Sequence, residues 1–140
     1  MLFHIRENYA LLIAIYCLFK QTVRSVERVL TQLSVAHVET YFVPLVTKLA
    51  TKEWYTSRAS AACLLHLAYP KLSDNRRTTF REMFIKLCAD ETPLVRKLAA
   101  HNLGAFSYEV YKVDQRLPQE FIRTFTVLAS DDQVRVFLKI

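Results

Sequence analysis

Residues able to do chemistry are few, and their spacing does not bring them together. His4, His37, His66 and His101 lie far apart, and Cys17, Cys63 and Cys88 show no CxxC spacing, so no zinc-type ligand set is formed. Gly104 is the single glycine, which excludes a glycine-rich loop that could cradle a phosphate. Ser57 and His66 come nearest to a nucleophile–base pair, but no third group stands where it could orient the histidine. The expectation is a chain with no catalytic residues, no cofactor and no metal, and therefore not an enzyme.

What recurs is an acid followed by an arginine. Asp90-Glu91-Thr92-Pro93 leads into Val95-Arg96. Lys52-Glu53 leads into Ser57-Arg58, with Arg58 38 positions before Arg96. Asp131-Asp132 leads into Val134-Arg135, with Arg135 39 positions after Arg96. Carboxylates at a helix N-terminus meet the positive end of the helix dipole. Arginine's planar fork can bond two acceptors at once. Stacked at one period, these groups can form a ladder in which each arginine meets a loop acid of its own or of the adjacent repeat. The same groups could instead meet a partner. Trp54, the only tryptophan, sits in one of these turns beside Tyr55. It reads equally as a binding anchor or as a plug over a neighbouring loop.

A fixed period of this length is the mark of stacked helical hairpins. The fold class expected is all-α, a right-handed α-solenoid of antiparallel helix pairs, incomplete at the C-terminus. The boundaries expected are a degenerate repeat at about 1–34 (helices 7–19 and 22–33), repeats at 38–70 and 73–108, and a truncated one at 117–140. In the first helices of the pairs, Phe42, Leu45, Val46 and Leu49 recur as Phe80, Met83, Phe84 and Leu87 and again as Phe121, Phe125 and Leu128, one helical face intended for the core. The second helix of the middle pair shows Val95, Leu98, Ala99, Leu103 and Phe106. Pro70 should stop one helix. Ser73 or Asp74 should cap the next, Thr92 with Pro93 should open another, and Ser130 with Gln133 has capping-box spacing. The final helix is short, so an exposed apolar end and marginal stability alone are expected.

Composition agrees. The chain has 140 residues, 52% of them apolar, with one glycine and four prolines, which suits helices joined by short loops better than a β-sandwich. The net charge of +6 is spread along the chain without a Lys/Arg block. The cysteines sit in apolar helical runs and read as reduced core residues of an intracellular protein. The apolar run Tyr9–Phe19 is eleven residues, too short to span a bilayer, and no small-residue cleavage site follows it.

Several of these turns resemble a known family. Glu53-Trp54-Tyr55-Thr56-Ser57-Arg58 resembles the DWFTSR turn of the scaffold (A-type) subunit of protein phosphatase 2A, and Ala89-Asp90-Glu91-Thr92-Pro93-Leu94-Val95-Arg96-Lys97 resembles its SDDTPMVRR turn. Tyr41-Phe42-Val43-Pro44-Leu45-Val46 is similar to HFVPLV, and Leu128-Ala129-Ser130-Asp131-Asp132 to LASDE. Order and spacing agree from about Val38 to Val136. Two departures stand out: Lys97 replaces a second arginine, and about two residues are missing between Asp132 and Val134.

The resemblance implies a partial, divergent copy of a HEAT-repeat array, matching its fourth and fifth repeats and the start of the sixth. It implies a non-catalytic scaffold whose intra-repeat turns hold a regulatory B-type subunit. The catalytic subunit would dock only through repeats absent here. It implies partner contacts at Trp54, Tyr55, Glu91, Thr92, Pro93, Arg96, Lys97, Asp132 and Arg135. The location expected is cytoplasmic and also nuclear, with no nucleic acid or membrane as partner. The alternative is another HEAT or armadillo adaptor, either a transport receptor or a nucleic-acid-binding solenoid. The latter needs Arg76, Arg77, Arg81, Lys86, Arg96 and Lys97 to form one basic face.

Overall fold

The computed structural model describes residue 18 and residues 20–138, with side chains through residue 135. The chain divides into two units, Met1–Gln32 and Leu33–Ile140. In the first, residues 20–32 are helical (α1); the expected helix 7–19, the run Tyr9–Phe19 and Cys17 lie outside the described residues. In the second, α2 (Val35–His37) passes through a π-helical turn (Val38–Phe42) into α3 (Val43–Ala50). Then come α4 (Tyr55–Ala68), a 3₁₀ turn (Tyr69–Lys71), α5 (Asp74–Cys88), α6 (Pro93–Asp114), α7 (Gln119–Ser130) and α8 (Asp132–Leu138). No strand occurs among the described residues.

The local sequence explains most of these boundaries. Ser34 opens α2, its hydroxyl accepting the His37 N–H at 3.3 Å, so the helix begins three residues before the expected Val38. Pro44 lies at the start of α3 and cannot donate to the carbonyl four residues back. The wide turn over Val38–Phe42, closed by Val43 N–H to the Val38 carbonyl, accommodates it. α4 ends at Ala68, ahead of Pro70 as expected, and Pro70 sits within the 3₁₀ turn that follows. Neither Ser73 nor Asp74 caps α5 by its side chain. Instead the Ser73 N–H is held from the preceding helical segment by Glu39 Oε1 at 2.9 Å. That bond lowers the Glu39 pKa. α6 runs past residue 108 to Asp114 because Val110 is buried, and it ends at Gln115 in the left-handed region, φ 57°.

The core is built where α4 and α6 lie against one another and against α3, α5 and α8. α4 is buried around most of its circumference: Ala59, Ala61, Ala62, Cys63, Leu64, Leu65 and Ala68 are all buried. Small side chains there let neighbouring helices approach from several sides. Phe106 of α6 sits at the centre of an aromatic cluster. It meets Phe84 of α5 edge-to-face at 4.6 Å, Phe121 of α7 at 5.6 Å and Tyr69 at 5.3 Å, the arrangement that suits ring quadrupoles. Cys63 and Cys88 are free and buried.

Two expected core residues are exposed. Leu45 faces solvent because Phe42, Val43, Val46 and Ala50 take the buried side of the helix after the π turn. Phe125 stands where Phe84 stands in the preceding pair. Phe84 is covered by Phe121 of the next pair at 6.4 Å, and no described helix covers Phe125, which is exposed with Ile122 and Val127.

Phe106→Ala removes the centre of the cluster and should cost about 3–5 kcal/mol. Urea unfolding of the variant should show a midpoint well below wild type.

Candidate protein-interaction ridge

The turns that precede α4, α6 and α8 are tied to one another by arginines. Arg58, one turn into α4, directs Nε to Asp90 Oδ2 at 2.6 Å and Nη2 to Asp90 Oδ1 at 3.0 Å. Its Nη1 donates to the carbonyls of Lys52 and Glu53 in its own turn. Nη2 also reaches Thr92 Oγ1 at 3.3 Å and Glu91 Oε1 at 3.5 Å. Arg96 repeats the pattern one pair later, with Nε to Asp131 Oδ2 at 2.7 Å and Nη1 to the carbonyls of Asp90 and Glu91. Each guanidinium thus braces its own turn and grips the acid of the next. Of the two ladder registers the sequence leaves open, the carboxylate comes from the adjacent pair.

The acids are doubly used. Asp90 Oδ1 accepts the Thr92 N–H at 2.9 Å. Asp131 Oδ1 accepts the N–H groups of Gln133 at 2.9 Å and Val134 at 3.2 Å. The α8 cap is therefore Asp131, not Ser130, whose hydroxyl bonds back to the Thr126 carbonyl inside α7. The shorter third loop explains this: Asp131 is four residues before Arg135, whereas Asp90 is six before Arg96. The carboxylate that lies ahead of the helix in one turn becomes the helix cap in the next. Thr92 likewise flanks Pro93 at the start of α6 but makes no side-chain cap; its hydroxyl faces Arg58 instead.

Burial alone would push the Asp90 and Asp131 carboxyls up. Hydrogen bonds from Arg58 and from the Thr92 N–H outweigh it for Asp90, and bonds from Arg96 and the Val134 and Gln133 amides outweigh it for Asp131. Both carboxyls are held below their usual range. The pairs are well shielded, with side-chain exposures of 12% and 9% for Arg58 and Asp90, and 20% and 19% for Arg96 and Asp131.

Along this edge the remaining expected residues divide by exposure. Trp54 is 74% exposed, and Tyr55 and Pro93 are exposed as well, so Trp54 does not plug a loop. The side chains of Glu91 and Asp132 are 88% and 90% exposed. Arg135 is exposed and pairs with Asp132 at 3.4 Å. Thr92 and Lys97 are half-buried. Arg96 is turned into the ladder and presents little to a partner. Glu53 is exposed in the first turn at the position of Glu91 in the second; the 38-residue period marks it.

A second network, on the other ends of these helices, has no sequence signal. Arg81 Nη1 donates to Asp114 Oδ2 at 2.9 Å and to the Tyr69 hydroxyl at 2.6 Å, and that hydroxyl donates to Asp114 at 2.6 Å. Burial foremost, then the bond to Asp114, raises the Tyr69 pKa to about 12. Its members sit at unequal separations, so no period reveals them.

Three of the six basic residues that a nucleic-acid face would need are held in ion pairs. Arg81 and Arg96 are consumed in ion pairs, and Arg77 pairs with Asp74 at 2.9 Å. Burial lowers the His66 pKa to about 4. Among the described residues no group of three His, Cys, Asp or Glu could hold a metal, and no helix is long and apolar enough to cross a membrane.

Known proteins are similar to this chain in sequence. The regulatory A-type subunit of protein phosphatase PP2A from Schizosaccharomyces pombe is 44% identical over 120 residues, 84% of this chain and 20% of that protein. The 65 kDa regulatory A-type subunit of human serine/threonine-protein phosphatase 2A, beta isoform, is 45% identical over 82 residues, 56% of this chain and 14% of that protein. Over the matched stretch, this chain belongs to the family of PP2A regulatory A-type subunits. The alpha isoform from Arabidopsis thaliana is 37% identical over 94 residues, 67% of this chain and 16% of that protein. No protein-family model matches. The chain spans about a fifth or less of the length of these relatives. With the helical stack described above, membership gives the fold its name: an all-α solenoid of HEAT repeats.

Because the folded-state pKa values of Asp90 and Asp131 are lowered, their stabilisation is complete above the unfolded value of about 4 and is lost as pH falls through the folded values. Wild type should therefore lose stability steeply below about pH 4. Asp90→Asn should be less stable at pH 7 and lose less on acidification. Arg96→Ala should cost about 1–3 kcal/mol at pH 7, allowing for partial exposure. Thermal melts across pH check both.

Proposed function

We propose that this chain is a non-catalytic scaffold module of a serine/threonine protein phosphatase 2A assembly, and that its intra-repeat turns dock a regulatory B-type subunit. The observation that carries this reading is the continuity of the edge. Arg58 and Arg96 each bridge two successive turns, so Trp54, Tyr55, Glu91, Pro93 and Asp132 are displayed from one braced row. The exposed tryptophan and tyrosine are the residue types that most often anchor interfaces. Arg96 contributes by holding the row, with Thr92, Lys97 and Arg135 beside it. The relatives are named as regulatory subunits of the phosphatase, which supports the same reading. A nucleic-acid reading has less support, because the arginines it needs are turned into ion pairs.

Capture assays with purified B-type regulatory subunit test this. Wild type should retain the subunit, while Trp54→Ala and Pro93→Arg should each weaken capture at least about tenfold, roughly the 1.4 kcal/mol or more lost at an anchor. Capture of nothing by wild type, or equal capture by both variants, would overturn the assignment.

A further inference from the structure

We propose that Thr92 is a phosphoacceptor whose phosphate is received by the Arg58 guanidinium. Thr92 is followed by Pro93 in the turn between α5 and α6, with Glu91 and Pro93 exposed on either side. Its backbone is extended, φ −86° and ψ 120°, the form in which kinases take an acceptor residue. The Thr-Pro pair fits a proline-directed serine/threonine kinase.

Two features mark this half-buried hydroxyl. It stands at the N-cap of α6 but makes no side-chain cap bond, so modification costs the helix no cap, although it gives up the hydroxyl's bond to the Asp90 carboxylate. It lies 3.3 Å from Arg58 Nη2. The next pair shows what an anion does at the corresponding position. Asp131 occupies the N-cap of α8 and receives Arg96 Nε at 2.7 Å together with two helix amides. A phosphate on Thr92 would place an anion at the equivalent cap, facing the equivalent arginine. With about −1.5 to −2 charges and three acceptor oxygens, it would compete with Asp90 and Glu91, which now share Nη2, and take over that nitrogen.

In the transfer, the bond between Thr92 Oγ1 and the γ-phosphorus of a nucleoside triphosphate forms as the β–γ bridging P–O bond breaks. The hydroxyl proton goes to the kinase's base, and nucleoside diphosphate leaves. The assignment rests on the geometry of the turn and does not need the docking reading.

The test treats the folded full chain with ATP and a proline-directed kinase and maps phosphate by mass spectrometry. Phosphate is expected on Thr92 and should vanish in Thr92→Val and in Pro93→Ala. Melting curves add a second readout. Asp90→Asn should lower Tm in the unmodified chain, and in the phosphorylated chain the loss should shrink by about half or more, because the phosphate then holds Arg58. No phosphate on Thr92 of the folded chain, or an undiminished loss, would overturn the proposal.

Discussion

A guanidinium with little solvent around it must be met by an acceptor on every side, and Arg58 and Arg96 are met by two turns at once. Hydrogen bonds radiate from one planar group, some to the carbonyls of its own loop and some to the carboxylate of the next. The consequence is geometric as much as energetic. A helical hairpin alone fixes how its two helices cross, but nothing in that hairpin fixes where its turn sits relative to the following one. The arginine does, because it cannot satisfy both loops unless they are side by side. The aromatic cluster around Phe106 supplies buried apolar surface, and the ladder supplies register.

The third turn shows how this device tolerates change. Loss of about two residues would be expected to pull the acid away from its arginine. Instead Asp131 becomes the helix cap and still receives Arg96. Its two oxygens divide the work, one for the arginine and one for the amides. Among the described residues Arg135 shows a contact with Asp132 and none of the bracing carbonyl contacts of its predecessors. At the other end Lys52 stands at the position of Asp90, so the first turn offers a cation where the later ones offer a carboxylate.

Much of this was legible from periodicity. The 38-residue spacing places Arg58 and Arg96 in equivalent settings and points to a ladder, and α4 and α6 start at Tyr55 and Pro93, where the sequence places them. Three things were not. Leu45, like its counterpart Met83, lies outside the fully buried stripe, and a helical wheel does not say how far a neighbouring helix reaches around it. Exposure of Phe125 depends on what packs beyond it, which a repeated motif cannot state. The choice between a ladder within a turn and one across turns depends on distances that spacing does not determine. Of the expected contact residues, Arg96 turns its side chain into the ladder, onto Asp131, 35 residues away.

The claim that one arginine locks neighbouring turns is tested most directly by a double-mutant cycle on Arg58→Ala and Asp90→Ala, read by equilibrium urea unfolding. The account predicts that the two losses overlap, with a coupling energy of about 1–3 kcal/mol between residues in contact. Additivity within about 0.3–0.5 kcal/mol would contradict it.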